Sequence, residues 1–189
     1  MALRHAVLAA LLDGESSGYE LAKTFDRGVA NFWHALPQQL YLELSKLEES
    51  GLVEGRDVAQ EGRPTKRLFT VTDAGLGELE GFAAGAAKPS VIRDDLLVKV
   101  QAVDHISAAA VVEQLDQRAA LAMAKVDIFE RALSGLRGDL DEPAFLATSD
   151  RIGPYLTCLR GLRFEQETAD WCTQAAQILR ARHATNADR

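Results

Sequence analysis

The sequence predicts a mostly α-helical chain in two parts, and three observations carry that expectation. Apolar residues recur at steps of three and four through most of the chain, the spacing that lines them along one helical face. One interval, "LVEGRDVAQEGRPTKRLFTVT" at 52–72, instead alternates on either side of a Gly-x-Pro turn, the pattern of a β-hairpin. A run of small residues with a proline, "GAAKPS" at 85–90, then breaks the chain. The expected domains are 1–86, which holds the hairpin, and 90–189, which is helical throughout.

"MALRHAVLAALL" sets Leu3, Val7, Leu8, Leu11 and Leu12 on one helical face, and "DGESSG" ends it. The second helix opens at Ser17, with Glu20 three residues on to complete a capping box, and carries Tyr19, Leu21, Ala22 and Phe25 toward Gly28. A third follows Leu36 with Pro37 in its first turn, where a missing N–H costs nothing. Its apolar line is Leu40, Leu44 and Leu47, and Gly51 is placed to end it with a left-handed cap. Gln38, Gln39, Leu42, Ser45, Lys46 and Glu49 face elsewhere. In the hairpin, Arg67, Phe69 and Val71 share one face and Leu68 and Thr70 the other, with the tip expected at Gly62–Thr65. Thr72 caps a fourth helix through Leu76, Leu79 and Phe82 to about Gly85.

Helix, helix, helix, hairpin, helix is the order of a winged helix-turn-helix. In that architecture the third helix enters the DNA major groove and the hairpin lies along the backbone or minor groove. On that expectation Arg63, Lys66 and Arg67, a small basic knot on the hairpin, contact phosphate. Gln38 and Gln39 reach base edges, and Leu42 offers an apolar contact to a thymine methyl. Tyr19 and Lys23 touch phosphates, and Tyr41, packed between helices with its hydroxyl exposed, completes the DNA-facing set with Ser45 and Lys46. The plainer readings are a solvated turn for the basic knot and a polar helix start for the glutamines.

Charge restrains the DNA reading. The 189 residues carry a formal net charge of −7 with a pI near 5.1, and residues 1–85 hold eight Lys and Arg against thirteen Asp and Glu, a net −5. Tight non-specific affinity comes mostly from neutralising phosphates, so it is not expected here. A local basic face is the route left open.

At 47% hydrophobic and 26% charged, the chain can bury a core in one or two small domains. No run approaches the ~20 apolar residues of a membrane span. Met1 leads into an amphipathic segment rather than a basic stretch and an apolar core, so no secretory signal is expected. Cys158 and Cys172, with no CxxC, suit a reducing cytosol, and a cytoplasmic protein is expected. They are read as buried, inert thiols ahead of a redox switch. His5, His34, His105 and His183 are scattered with no HExxH, so no metal site is expected. No GxSxG, P-loop or GxGxxG after a strand occurs, so there is no catalytic residue to name and no cofactor is expected.

In the second half, Ile92, Leu96, Leu97, Val100 and Val103 form one helical stripe. Ser107 caps a long segment with Val111, Leu115, Ala122, Val126, Phe129, Leu133 and Leu136 at steps of three and four, interrupted by a gap holding Arg118. A final helix from near Pro154 to about Arg182 carries Tyr155, Leu159, Leu162, Ala169, Cys172, Ala176 and Leu179. A second stripe on it, Phe164, Trp171 and Ile178, is spaced by seven. Two stripes on one helix need two partners, so a second protomer is expected, with Leu96, Val126, Phe129, Leu159, Leu162, Trp171 and Ile178 at the interface.

"SGYEL" at Ser17–Leu21, "LYLELSKLEESGLV" at Leu40–Val53 and "GRPTKRLFTVTDAG" at Gly62–Gly75, in this order and spacing, resemble the N-terminal domain of PadR-type transcriptional regulators. Positions 42 and 43 hold Leu42 and Glu43 where relatives often carry polar or basic groups. "IRDDLLVKVQAVDHIS" and "YLTCLRGLRFEQETADW" are similar to the virulence-activator-like C-terminal dimerisation module of that family. The resemblance implies a homodimer that presents two winged helices to a pseudo-palindromic operator on double-stranded DNA, commonly as a repressor. Some relatives hold planar aromatic compounds near a dimer interface, so a small aromatic effector near Trp33 or Trp171 is implied beside the plainer reading of aromatics filling a packing gap. The alternative function is a winged-helix module for protein interaction or aromatic-ligand sensing without strong DNA binding.

Overall fold

The structure is a computed structural model that describes residues 2–28, 33, 35–60, 62–87, 89 and 92–187. It divides into two compact units, Met1–Pro89 and Ser90–Arg189.

In the first unit α1 (Ala2–Leu11) buries Val7, Leu8 and Leu11, whereas Leu12 falls past the helix end and is exposed. A two-residue strand β1 (Ser16–Ser17) leads into α2 (Gly18–Gly28), which buries Leu21 and Phe25. The capping box forms as expected. Ser17 Oγ accepts from Glu20 N and Glu20 Oε2 accepts from Ser17 N, both at 3.3 Å.

Helix α3 (Pro37–Glu49) presents Leu40, Leu44 and Leu47 to the same core. Each fully buried leucine contributes on the order of 2 kcal/mol of apolar transfer. The helix ends in a Schellman motif: Leu52 N donates to Leu47 O and Gly51 N to Glu48 O, each at 2.9 Å, with Gly51 at φ +70°.

Strands β2 (Val53–Gln60) and β3 (Arg63–Val71) form the hairpin, with Val53 opposite Val71, Gly55 opposite Phe69 and Asp57 opposite Arg67. The strands run further than expected. Arg63–Thr65 belongs to β3 rather than to the tip, and the register shifts by one residue between the Val58–Lys66 and Gln60–Arg63 pairs. The extra residue lies on β3 beside Pro64, which has no N–H to give the ladder. Strand β1 pairs with the other side of β3, so the sheet has the order β1-β3-β2. A two-residue strand has no period to read, so no pattern in the sequence announces it.

Thr72 caps α4 (Asp73–Ala84) as expected, accepting from Gly75 N at 3.2 Å while its hydroxyl donates to Gly51 O at 2.7 Å. Gly75 is buried, and a Cβ there would run into the Leu52 carbonyl. The His5 ring stacks on Phe82 with centroids 4.0 Å apart, and its Nε2 lies 3.2 Å from Glu78 Oε1, which fastens α1 to α4.

The second unit comprises α5 (Asp95–Gln101), a 3₁₀ turn at Val103–His105, α6 (Ala108–Arg137), α7 (Glu142–Thr148) and α8 (Gly153–Ala187). Helix α5 is shorter than its stripe suggested: Asp94 caps it through Leu96 N, and Ile92 and Leu97 are exposed. Ser107 occupies the N-cap position of α6 without a side-chain hydrogen bond. Helix α7, too short for a legible period, was not expected. It is capped by Asp141 and contributes Phe145, packed on Tyr155.

The long helices run antiparallel, since Lys125 meets Glu165, Phe129 meets Cys158 and Asp116 meets Arg180. Ala122, Ala169, Cys172 and Ala176 are buried, and side chains this small let the two backbones approach closely. One core cluster gathers Val126, Phe129, Leu133, Phe145, Tyr155 and Leu162, and the other Leu96, Val111, Leu115, Cys172 and Ala176.

These contacts place the residues expected at the interface. Leu96, Val126, Phe129 and Leu162 are buried inside their own unit, and Leu159 packs against that core. One long helix supplies the partner that the first stripe needed. The second stripe stays on the surface, with Phe164 46%, Trp171 38% and Ile178 54% exposed. Trp33 is 36% exposed.

Candidate nucleic-acid interface

Burial of Leu40, Leu44 and Leu47 decides which side of α3 faces water. Gln38, Leu42, Ser45 and Glu49 follow one another at steps of four, three and four on the exposed side, with Tyr41 and Lys46 beside them. Leu42 is 57% exposed, high for a leucine in a helix with an apolar side available. Ser45 Oγ donates to Tyr41 O at 3.2 Å, so only its lone pairs stay open to a ligand. Gln39 Oε1 accepts from Leu36 N at 2.9 Å and closes the start of the helix, because Leu36 has no side-chain acceptor of its own. Gln38 makes no such local bond and is exposed, with an amide able to donate and accept.

Tyr19 and Lys23, one helical turn apart on α2, are both exposed. The Tyr41 ring lies against Gly18, where any Cβ would occupy the ring's place. That contact explains the glycine of the Ser-Gly-Tyr motif and fixes how α2 sits on α3.

The hairpin face is less free than the sequence suggested. Lys66 Nζ donates to Glu20 Oε1 at 2.7 Å. The Arg67 guanidinium forks, with Nη2 on Glu48 Oε1 at 2.6 Å and Nη1 on Asp57 Oδ1 at 2.9 Å. Arg56 holds Glu15 through Nε, at 2.8 Å, and Nη2. The Lys66 hydrogen bond, followed by that from the Ser17 amide, holds the Glu20 carboxyl below the usual carboxylate range. Glu48, then Asp57, raise the Arg67 pKa further above its ordinary value. The side chain of Arg63 lies outside the described residues, as do His34 and the side chain of His183.

Sequence reasoning missed Glu20, Glu48 and Asp57 as partners of the basic knot. Asp57 was within reach, since the hairpin register places it opposite Arg67. Glu20 and Glu48 lie 46 and 19 residues from their partners, and no local pattern announces them.

In the second unit, burial raises the pKa of both Cys158 and Cys172. Cys158 Sγ donates to Phe129 O at 3.7 Å. Both thiols therefore resist forming the reactive thiolate. Among the described residues no group of three His, Cys, Asp or Glu could hold a metal ion, and no helix is long and apolar enough to cross a membrane.

Comparison with known proteins follows the same two-unit division. Residues 7–81 match the transcriptional regulator PadR-like family, and residues 92–180 match the virulence activator alpha C-terminal family. The chain is 32% identical to the probable transcriptional regulator Rv1176c of Mycobacterium tuberculosis, over 95% of this chain and 98% of that one. It is 26% identical to the negative transcriptional regulator PadR of Bacillus subtilis, over 89% and 92% of the two chains. The fold superposes on Bacillus subtilis PadR in complex with operator DNA at a TM-score of 0.78 and 24% identity, covering 95% of this chain and 99% of that one. With the same protein in complex with p-coumaric acid the TM-score is 0.71, at the same identity and coverage. The winged N-terminal unit, the antiparallel helical C-terminal unit and these full-length matches together show that the chain belongs to the PadR-like family of transcriptional regulators.

Proposed function

We propose that the chain is a homodimeric DNA-binding regulator that represses by occupying a pseudo-palindromic operator, with α3 in the major groove and the hairpin on the backbone. The observation that carries this reading is the outward face of α3. An apolar Leu42 beside Gln38, Tyr41, Ser45 and Lys46 is poorly suited to solvent and well suited to the mixed polar and methyl-bearing floor of a major groove. Tyr19 and Lys23 on α2, with Arg63, Lys66 and Arg67 on the wing, supply the phosphate contacts. Residues 1–86 then form the DNA-binding domain and 90–189 the dimerisation domain, with Phe164, Trp171 and Ile178 at the seam between protomers. Repression is inferred from the Bacillus subtilis relative, a negative regulator. The protein works as a binder rather than an enzyme, in the cytoplasm where its operator lies. A planar aromatic effector is inferred from the p-coumaric acid complex of that relative and from the half-exposed Trp171.

A gel-shift with the gene's own upstream DNA tests the reading. A discrete retarded species, competed by the same duplex and not by an unrelated one, is expected. The second reading, a winged-helix interaction module without strong DNA binding, is favoured by the ion-paired wing, and absence of retardation at low salt would select it.

A further inference from the structure

The wing cations whose side chains are described, Lys66 and Arg67, are each already engaged by carboxylates. Glu20 comes from α2, Glu48 from α3 and Asp57 from β2, so three separate elements converge on two basic side chains. The backbone leaves room for this. Gly55 lies beside the Arg67 fork, and a Cβ there would overlap Glu48 Oε1 and come within 2.7 Å of Arg67 Nε. All five side chains keep contact with water, from 28% exposed at Lys66 to 61% at Asp57. Such pairs add little to folding and exchange readily.

We propose that Glu20, Glu48 and Asp57 are internal competitors for DNA phosphate, holding Lys66 and Arg67 until a correctly seated duplex displaces them. The inference rests on the DNA-binding reading above and adds how its specificity is set. Non-specific affinity arises when phosphates are neutralised by free cations and counterions are released. A cation already paired with a carboxylate exchanges one anion for another, so the wing gains little from an arbitrary duplex. The exchange becomes favourable when α3 has matched its bases and carries the backbone onto the wing. Specificity then comes from suppressing wrong complexes as much as from stabilising the right one. The net −5 of residues 1–85 acts in the same direction.

The test uses the full chain as Glu48→Gln/Asp57→Asn and, separately, Glu20→Gln, which keeps an acceptor for the capping box. Thermal melts establish that each variant is folded. Fluorescence anisotropy then measures binding to a random-sequence duplex and to the upstream duplex across a salt series. The expected result for each variant is roughly ten-fold tighter binding of the random duplex at low salt. Its salt slope should steepen by about one phosphate contact, and the ratio of specific to random affinity should fall. If the wild type retards its upstream DNA but the variants bind random duplex with unchanged affinity and slope, the competitor role is wrong and the DNA-binding reading stands. Weaker binding by the variants also overturns it, because the carboxylates would then be positioning the cations for phosphate. Failure of wild type and variants alike to bind any duplex at low salt removes the DNA-binding reading and this inference together.

Discussion

Gly18 shows how a single missing methyl decides a contact between helices. The residue opens α2, and glycine is a poor helix former, yet the Tyr41 ring of α3 occupies the space a Cβ would take. Gly18→Ala must push the ring aside or separate the helices, and we expect a loss of about 1–3 kcal/mol in urea unfolding. If Tyr41, half-exposed beside Leu42, is displaced, then on the proposed DNA-binding reading affinity in the gel-shift should fall as well. An Ala variant as stable as the wild type would show that the ring swings freely. Glu20 is the second instructive residue. Its carboxylate serves the Ser17 cap and the Lys66 ion pair together, which joins the start of α2 to the wing. The cap was legible in the Ser-x-x-Glu spacing, whereas the ion pair required the fold.

Among the elements, the long helices were legible because each carries several turns of buried stripe, and α3 follows its Leu40, Leu44 and Leu47 line without exception. The short elements were not. Strand β1 and helix α7 hold two and seven residues, too few to repeat a pattern, and their places are set by what they pack against. The joint between α3, the hairpin and α4 is tied by several hydrogen bonds. Thr72 caps α4 and ties back to the Gly51 carbonyl, next to the Schellman turn that ends α3. Thr72→Ala removes both bonds and should cost about 1–2 kcal/mol by chemical denaturation. Thr72→Ser keeps the hydroxyl and should recover most of that. Equal losses in the two variants would assign the effect to the threonine methyl rather than to the bonds.

For the whole molecule, the final helix carried two apolar stripes and only the structure could say which one is already used. The stripe through Tyr155, Leu162, Ala169, Cys172 and Ala176 is consumed by α6 and α7, while Phe164, Trp171 and Ile178 stay at the surface. If the proposed homodimer pairs through this stripe, Trp171→Glu with Ile178→Asp should therefore give the mass of one chain in light scattering and leave the helical circular dichroism unchanged. A dimer of undiminished mass would move the seam elsewhere on the molecule. The sequence by itself determined the order of the longer elements, their buried faces and the winged character of the first unit, because periodicity, caps and turn residues act over a few neighbours. Tertiary structure alone decided which apolar stripe meets its own chain and that Glu20 and Glu48 meet the wing's cations. Both depend on side chains brought together across tens of residues, where packing and charge pairing leave no mark in local spacing.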